Sequence, residues 1–308
     1  MNPVIVVVGS LNMDFVVAVK QLPAPGETVL GRDFKTIPGG KGANQACAAA
    51  KLGGNVRMIG RVGYDLFADQ LKASLAAVGV DVSAVHASRS QPTGVAQIWV
   101  DERGQNSIVV ASGANHDLPV ADVESMRRVF RGAAYALFQL ETPLATVSAA
   151  MALARQEGLA TILDPAPAQE LDAEVLSRVD ILTPNESEAQ ILLGRAPERV
   201  PLEDAPALAA SLRELGPRTV ILKLGDQGAL LCEAGGTRHF PAFAVRPVDA
   251  TAAGDTFNAA LAVALAEGRP MAGAIPFANA AAAVSVTRLG AQASAPSRAE
   301  VEDLLRST

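Results

Sequence analysis

Short apolar runs alternate with longer stretches of helical periodicity along most of the chain. A short apolar run bounded by turn residues is typical of a buried strand, whereas an apolar repeat every three to four positions is typical of an amphipathic helix. The runs predict strands at residues 4–9, 56–59, 134–140, 160–163, 180–182 and 219–224. The periodic stretches predict helices at residues 66–78, 144–156, 185–193 and 204–215. This alternation predicts an α/β fold with a mostly parallel central sheet flanked by helices.

Two segments, residues 15–37 and 91–112, break the alternation because Gly and Pro punctuate them and no helical repeat separates their apolar runs. They predict β-hairpins that form one small sheet standing off the main body. Both faces of the strand in the second segment are largely apolar, with Ala96, Ile98 and Val100 on one face and Val95, Gln97 and Trp99 on the other. One face would close over a ligand while the other packs against a second copy of the chain. The alternative is a sheet edge covered by the chain's own loops.

Length and composition narrow the class of protein. The 308 residues are 49% hydrophobic, which suits one large α/β unit as well as two small domains. The formal net charge of -6 argues against a nucleic-acid surface and favours a small-molecule ligand. The apolar run at residues 4–8 is too short to span a membrane. Cys47 and Cys232 lack CxxC spacing, which argues against a disulfide scaffold or zinc site, so we expect a cytoplasmic protein without a membrane partner.

The most informative segment is DATAAGDTF at residues 249–257, which precedes a helical run. The small residues Ala252, Ala253 and Gly254 let backbone N–H groups point at one spot, and the helix that starts there adds the positive end of its dipole. These features predict an anion cradle. Asp255 in the first turn is either a favourable helix-start residue or a base that takes the proton of an attacking hydroxyl.

A second glycine-rich segment, GGKGANQA at residues 39–46, begins a predicted helix through residue 52. Glycines let the main chain approach a ligand closely, and Lys41 and Asn44 supply hydrogen-bond donors. The segment lacks the GxxxxGK[ST] spacing of a Walker A loop, and Gln45 occupies the last position of a GxGxxG pattern. The alternative is a tight turn without a ligand.

Polar residues follow several of the predicted strands. The segment GSLNMD at residues 9–14 follows the first strand and offers Asn12 and Asp14, and Glu141 follows the strand at 134–140. Because the carboxyl ends of parallel strands meet at one edge of a sheet, we expect these groups to converge on a ligand crevice and to bind hydroxyl groups. An Asx turn or a solvated side chain is the alternative for each.

Two further strand ends carry groups suited to a phosphate and its metal ion. Asn185 and Glu188 lie about one helical turn apart after the strand at 180–182, near where Mg²⁺ and phosphate would lie. A helix cap is the alternative for this pair. The segment KLGDQG at 223–228 ends another strand with two glycines and one cation, a pattern typical of a phosphate-binding rim.

Taken together, GSLNMD, GGKGANQA, TPNESE, KLGDQG and DATAAGDTFNAAL resemble the ribokinase family, also called the PfkB sugar kinases. The similarity runs from about residue 4 to residue 296, in family order, and the combination of GGKGAN with AAGDTF is highly specific. GSLNMD paired with GGKGAN, and the tail TRLGAQAS, are similar to the ribokinases within the family more than to its other members. The resemblance implies a Rossmann-like central sheet, one kinase domain over residues 1–308, and a β-sheet lid inserted from about 13–38 and 91–113.

The resemblance also implies ATP-dependent phosphorylation of the 5-hydroxyl of D-ribose, with Mg²⁺ bound and Asp255 as the general base. Backbone N–H groups of Ala252, Ala253 and Gly254 would hold the charge on the transferring phosphoryl group. The residues at ribose-binding positions are Asn12, Met13, Asp14, Gly40, Lys41, Gly42, Ala43, Asn44, Glu141 and Asp255. The residues at nucleotide-binding positions are Asn185, Glu188, Lys223, Leu224, Gly225, Asp226, Gln227, Gly228, Gly254 and Asn279, and Glu188 would act on Mg²⁺ through water.

A potassium site beside the anion cradle is also implied, built mostly from main-chain carbonyl groups. Its matching positions are Asp249, Thr251, Ser285, Arg288, Gly290 and Ser294. A homodimer through the lid sheets is the expected assembly. Lys223 departs from the family pattern, in which Thr or Ser is frequent, and Asn279 stands where some members have His, so both differences affect nucleotide contacts.

Two alternative functions remain open from the sequence. One is a sibling kinase of the same family that acts on fructose, 2-keto-3-deoxygluconate or adenosine. The other is a non-catalytic sugar-binding module on the same fold, since a fold alone does not establish chemistry. The intact pair Gly254 and Asp255 argues against the second alternative, because a carboxylate beside an anion cradle is electrostatically unfavourable unless it takes part in a reaction.

Overall fold

A computed structural model describes residues 4–307 as two β-sheets with helices covering the larger one. The central sheet consists of β1 (Val4–Val8), β4 (Asn55–Val62), β5 (Asp81–Ala87), β8 (Ala133–Phe138), β9 (Ala160–Leu163), β10 (Ile181–Leu182), β11 (Thr219–Lys223), β12 (Ala229–Glu233) and β13 (Gly236–Phe240). The small sheet consists of β2 (Asn12–Ala18), β3 (Asp33–Gly39), β6 (Gly94–Val100) and β7 (Asn106–Ala111). The helices are α1 (Lys41–Lys51), α2 (Leu66–Ala77), α3 (Val120–Ser125), α4 (Arg127–Phe130), α5 (Leu144–Gln156), α6 (Ala173–Leu176), α7 (Glu186–Leu192), α8 (Ala205–Glu214), α9 (Ala253–Ala266), α10 (Met271–Ser285) and α11 (Arg298–Arg306).

The central sheet has the order β13-β12-β11-β10-β9-β8-β1-β4-β5 and is parallel from β11 through β5. Each of the six predicted strands lies in this sheet, so the predicted α/β class is confirmed. Three strands of this sheet were not predicted. They are β5, in which polar residues interrupt the apolar run, and β12 and β13, which form an antiparallel hairpin. The hairpin of β12 and β13 has no helix between its strands, so it lacks the strand–helix alternation that predicts the parallel strands.

Strand β1 shows how the sequence builds two layers of helices. Successive side chains of a strand point to opposite faces of the sheet. Ile5 and Val7 accordingly pack in the apolar cluster that contains α1 and α9. Val6 and Val8 pack in the cluster on the other face, which contains α5 and α8. A strand buried on both faces needs an unbroken apolar run, which is what residues 4–8 provide.

Helices α9 and α10 supply the alanine-rich part of the first cluster. Alanine lets two helices approach closely, because no long side chain separates them. Helix α9 also packs against α1 and against β1 and β8 in the middle of the central sheet. These contacts fix the position of its first turn near the carboxyl ends of the strands. Within residues 4–307, no helix combines the length and apolar character needed to cross a bilayer.

The small sheet has the order β3-β2-β6-β7. Its two hairpins are antiparallel, as the punctuation predicted, and they meet through a parallel pairing of β2 with β6. Strand β2 begins at Asn12, shortly after β1 ends at Val8, so the small sheet starts at the rim of the central one. This arrangement places the polar residues of GSLNMD where the two sheets join.

Candidate active site

A cleft of about 750 Å³ lies along the carboxyl ends of β9, β10 and β11 and the first turn of α9. It brings together polar residues that are far apart in the sequence, as the strand-end rule predicts. Its charged and polar lining consists of Lys41, Asp164, Asn185, Glu186, Ser187, Glu188, Lys223, Asp226, Asp255 and Asn279. The convergence of these groups on one cleft makes it the candidate active site.

Asp255 lies in the first turn of α9 and is only 5% exposed. Its two oxygens accept hydrogen bonds from α1, one from Asn44 Nδ2 at 3.0 Å and one from Gln45 Nε2 at 3.1 Å. Burial raises the pKa of Asp255 to about 6, with the charge of Asp164 adding to the rise and Lys41 and the two amides opposing it. Asp255 is therefore ionised at neutral pH and has a pKa suited to a general base.

The backbone before Asp255 has the geometry that the predicted anion cradle requires. Ala252 adopts the left-handed conformation, with φ 58° and ψ 17°, and is the one non-glycine residue with positive φ between residues 4 and 307. Such strained backbone is common at functional sites. The first i to i−4 hydrogen bond of α9 runs from Thr256 N–H to Ala252 O at 2.9 Å. The N–H groups of Gly254 and Asp255 lie before this bond, at the end of the helix where N–H groups have no partner within the helix. Ala252, Ala253 and Gly254 all line the cleft.

Asp14 lies on β2, close enough to Glu141 and Asp255 for their charges to act on its carboxyl group. Burial raises the pKa of Asp14 to about 7, and the charges of Glu141 and Asp255 add to the rise. A Cβ on Gly39 would lie 2.2 Å from Asp14 Oδ2, so only glycine at this position leaves room for the carboxylate. The first glycine of GGKGANQA therefore shapes the pocket around Asp14.

Asn12, Lys41 and Glu141 complete this group. Glu141 Oε2 accepts hydrogen bonds from Lys41 N–H at 3.1 Å and from the Ser10 hydroxyl. Asn12 Oδ1 accepts one from Asn115 Nδ2 at 2.7 Å, which leaves its own amide N–H groups as donors. Burial lowers the pKa of Lys41, but the nearby carboxylates more than offset this effect, so the pKa lies above its usual value. Lys41 therefore stays charged among four acidic side chains, those of Asp255, Asp164, Glu141 and Glu188.

The other predicted sugar-binding residues contribute backbone or space. Gly40 has φ 90°, and a Cβ on it would lie 2.7 Å from Asn12 N. A Cβ on Gly42 would lie 2.6 Å from Ser10 N, so both glycines let α1 approach the loop after β1. The side chains of Met13 and Ala43 are in the apolar core, which corrects any expectation that they contact a ligand. Alternation along β2 sends Met13 away from Asp14 and Asn12.

Among the predicted nucleotide-binding residues, Asn185 and Glu188 form a capping box at the start of α7. Asn185 Oδ1 accepts from Glu188 N–H and Glu188 Oε2 accepts from Asn185 N–H, each at 2.8 Å. The helix-cap alternative for this pair is therefore present, and both residues also line the cleft. Burial raises the pKa of Glu188, with Lys223 opposing and Asp164 adding to the rise. One oxygen of Glu188 remains for a metal-bound water.

The segment KLGDQG forms a tight turn at the edge of the cleft. Gly225 has φ 55° and Gly228 has φ 94°, and a Cβ on Gly228 would lie 2.2 Å from Phe240 O. Gly225, Asp226 and Gly228 line the cleft. The side chain of Leu224 is in the core, and Gln227 lies outside the cleft lining, where its carbonyl contacts His239 Nε2. Neither side chain lines the cleft, so both shape the turn, and a role of their backbone groups in nucleotide binding stays a prediction.

Asn279 lines the cleft from α10, as predicted, but its amide has a structural partner. Asn279 Nδ2 donates to Phe240 O and Pro241 O, each at 3.1 Å. Asn279 therefore connects α10 to the segment that follows β13. Its side-chain oxygen is the group that remains for a nucleotide.

Comparison with known proteins decides the family. The chain matches the pfkB family carbohydrate kinases over residues 2–298. The chain belongs to this family. It is 42% identical over 306 residues to the ribokinase of Haemophilus influenzae, covering 99% of both chains. It is 43% identical over 301 residues to that of Bacillus subtilis, covering 98% of this chain and 99% of the relative. The solved structure of Arabidopsis thaliana ribokinase complexed with ribose and ATP has a TM-score of 0.92 at 36% identity and 99% coverage of both chains.

Two polar residues that organise the cleft of this sugar kinase, Asp164 and Gln45, are not among the predicted site residues. Asp164 follows β9 and accepts from Lys223 Nζ at 2.9 Å and from Gln45 Nε2 at 3.1 Å. Gln45 in turn accepts from Gln139 Nε2 at 2.7 Å and donates to Asp255. The strand-end rule that found Glu141 applies equally to Asp164. Gln45 follows Asn44 within GGKGANQA, and this position is the sequence feature that could have predicted its place beside the cleft.

The apolar wall of the cleft was also missed. It is formed by the segment after β13 and by the last turns of α10, and its members are Phe243, Ala244, Val245, Pro247, Ala282, Ala283 and Val286. Such a wall suits the flat, apolar face of a nucleotide base. No short motif marks it, because one half is an irregular segment and the other belongs to an alanine-rich helix.

The predicted potassium positions lie on the segment before α9 and on the end of α10 with the segment that follows it. Asp249 joins them, because Oδ1 accepts from Thr251 N–H and Oδ2 from Gly290 N–H, each at 2.9 Å. Its carboxylate and the surrounding carbonyl groups are hard oxygen donors, which suits an alkali cation. The hydroxyls of Ser285 and Ser294 already donate to Ala282 O and Ala291 O, and Arg288 pairs with Glu300. The Arg288 side chain is therefore no ligand, and only its carbonyl fits the set.

The raised pKa values of the two buried carboxyl groups give a pH prediction. The predicted roles of Asp14, as an acceptor for ribose, and of Asp255, as a general base, both require an ionised carboxylate. A carboxyl group is protonated below its pKa, so kcat/KM for ribose should fall as pH drops through about 7 for Asp14 and about 6 for Asp255. Initial-rate measurements across this range test it. Asp14→Asn should remove the upper inflection only, and a flat profile in the wild type would contradict the prediction.

Proposed function

We propose that the protein transfers the γ-phosphoryl group of ATP to the 5-hydroxyl of D-ribose, giving D-ribose 5-phosphate and ADP. The observation that carries the proposal is the position of Asp255 between the acidic sugar-side group and the anion cradle. The full-length similarity to two ribokinases supports ribose as the acceptor, and the Arabidopsis protein of the same fold is complexed with ribose and ATP. Together they favour ribose over the other sugars considered.

Asn12, Asp14, Lys41 and Glu141 hold and orient the sugar so that its 5-hydroxyl points at Asp255. Asp255 takes the hydroxyl proton as the oxygen attacks the γ-phosphorus. The N–H groups of Gly254 and Asp255, at the positive end of α9, stabilise the charge on the transferring group. A bound Mg²⁺ would neutralise the phosphate oxygens, and Glu188, which lines the cleft, would hold the ion through water.

The small sheet acts as the lid in this proposal. Its strand β2 carries Asn12 and Asp14, so sugar binding and the position of the lid are linked. The lid aromatic ring of Phe15 packs against Phe34 at 5.9 Å and against Phe67 at 5.4 Å. Rings engaged with one another do not form an open slot for a nucleobase, so adenosine is disfavoured as the acceptor.

The same sheet supports the expected homodimer. Ile108, Val109 and Val110 on β7 are between 45% and 60% exposed, which leaves apolar side chains on both faces of an edge strand. Exposed apolar strands of this kind mark interfaces.

The potassium site around Asp249 and a cytoplasmic location belong to the same proposal. Buried thiols at Cys47 and Cys232 suit a reducing compartment.

A charge in the lid interface should separate the subunits. We expect Val109→Glu to convert a dimer to a monomer in sedimentation velocity, because an unpaired carboxylate in an apolar contact is costly to bury. Ala207→Glu, on the exposed side of α8, is the matched control and should leave the assembly unchanged. A wild-type monomer at micromolar concentration would contradict the dimer.

An acceptor panel tests the proposed function. Initial rates with ATP and Mg²⁺ are measured for D-ribose, fructose, 2-keto-3-deoxygluconate and adenosine, each in K⁺ and in Na⁺. We expect the highest kcat/KM with ribose, and faster turnover in K⁺. Turnover of another acceptor without turnover of ribose would refute the assignment, and equal rates in the two salts would remove the potassium site.

A further inference from the structure

The ammonium group of Lys223 lies beside Gly254 in the first turn of α9. Lys223 is the last residue of β11, and its side chain is 13% exposed. A Cβ built on Gly254 would lie 3.2 Å from Lys223 Nζ. The positive ammonium group therefore lies beside the positive end of the α9 dipole, which is unfavourable for both. A phosphate group between the ammonium and the helix N–H groups would make the arrangement favourable.

Asp164 holds the ammonium in place but uses only part of its bonding capacity. Asp164 Oδ1 accepts from Lys223 Nζ at 2.9 Å, and within residues 4–307 it is the one hydrogen-bond acceptor of this group. An ammonium group has three N–H donors. Two donors therefore remain, and Lys223 and Gly254 line the same cleft. Asp164 leaves the ammonium able to bind an anion at the cradle.

A chain of hydrogen bonds also connects this cation to the base. Asp164 Oδ2 accepts from Gln45 Nε2 at 3.1 Å, and the same Nε2 lies 3.1 Å from Asp255 Oδ1. The ammonium and the carboxylate of Asp255 are thus fixed relative to one another by two side chains. Such a fixed pair suits a reaction in which a proton leaves on one side and negative charge is stabilised on the other.

We infer that Lys223 is a catalytic residue that donates a hydrogen bond to a non-bridging oxygen of the transferring γ-phosphoryl group. This inference rests on the proposed function. In the step, the ribose O5–H bond breaks and its proton goes to Asp255, while the O5–P bond forms. The bond from phosphorus to the β,γ-bridging oxygen breaks, and ADP leaves with that electron pair. Lys223 stays protonated throughout and adds a full positive charge to the backbone N–H groups of the cradle.

Kinetics and nucleotide binding together separate this role from a structural ion pair. The variants are Lys223→Thr, which removes the charge, Lys223→Arg, which keeps it, and Asp164→Asn, which removes only the tether. Lys72→Thr on α2, outside the cleft, is the matched control. We expect Lys223→Thr to lower kcat by about 10²-fold with little change in the KM for ribose, as removal of one donor to a developing charge does. The kcat of Lys223→Arg should lie between that of Lys223→Thr and that of the wild type.

Calorimetric titration supplies a readout that needs no turnover. With Mg²⁺ present, Lys223→Thr should weaken AMP-PNP binding roughly tenfold relative to ADP, because only AMP-PNP carries a γ-phosphate for the ammonium. Asp164→Asn keeps the ammonium and should lose less of this preference. Equal weakening of both nucleotides by Lys223→Thr, or equal loss of preference in the two variants, would identify a structural pair and overturn the inference.

The two measurements also keep this inference apart from the proposed function. A wild-type protein that binds AMP-PNP but does not phosphorylate ribose refutes the acceptor assignment, and the titration still tests Lys223. A wild-type protein that phosphorylates ribose, together with a Lys223→Thr variant whose kcat is within threefold of it, refutes the role of Lys223 alone.

Discussion

Asp255→Asn should lower kcat for ribose phosphorylation by about 10²- to 10⁴-fold, the range that a positioned general base contributes. The amide cannot accept the hydroxyl proton, so the loss falls on the transition state and the KM for ribose should change little. The side chain keeps its shape. Because Asn44 and Gln45 both donate to Asp255, one of these bonds is lost when an NH₂ group replaces an oxygen.

Two controls keep this test specific. Asp69→Asn, on the exposed side of α2, makes the same chemical change away from the cleft and should retain wild-type kcat. A thermal unfolding midpoint close to that of the wild type shows that Asp255→Asn remains folded, and direct titration with ribose checks that the sugar site is intact. Wild-type turnover in the Asp255→Asn variant would remove Asp255 from the role of base.

Much of the polar site could be predicted because it obeys local rules. Glycine motifs report close backbone approach, and the structure gives a reason for several of them, including Gly39 against the Asp14 carboxylate and Gly42 against Ser10 N. Residues after parallel strands must meet at one edge, which is why Glu141 and Asn185 were found from short segments alone. The central sheet was predicted for a similar reason, because unbroken apolar runs report burial on both faces.

The parts that were missed depend on contacts distant in sequence. The apolar wall of the cleft pairs Phe243 and Val245 with the end of α10, and neither half has a periodicity that reports the other. The ion pair of Asp164 and Lys223 joins residues 59 positions apart, and each member alone resembles an ordinary polar residue after a strand. The left-handed conformation of Ala252 was hidden too, since glycine is the residue that usually signals it.

Asp14→Asn should have the opposite kinetic signature from Asp255→Asn. The carboxylate is partly buried near Glu141 and is the sugar-side acceptor that the proposed function needs, so its loss removes binding that is present before the chemical step. We expect the KM for ribose to rise about 10²-fold, the effect of losing one strong charge-assisted hydrogen bond of about 3 kcal/mol, with kcat within severalfold of the wild type. Initial rates over a wide range of ribose concentration measure both constants.

Gly39→Ala tests the same position without changing the carboxylate. The added Cβ would lie 2.2 Å from Asp14 Oδ2, so the carboxylate must move and the KM for ribose should rise in the same direction. Gly273→Ala in α10 is the matched control, because its Cβ meets nothing nearer than Pro270 Cδ at 4.0 Å, and alanine favours a helix. If Asp14→Asn and Gly39→Ala both keep the wild-type KM, the sugar does not bind at Asp14. If Asp14→Asn lowers kcat but not KM, Asp14 acts in the chemical step and not in binding.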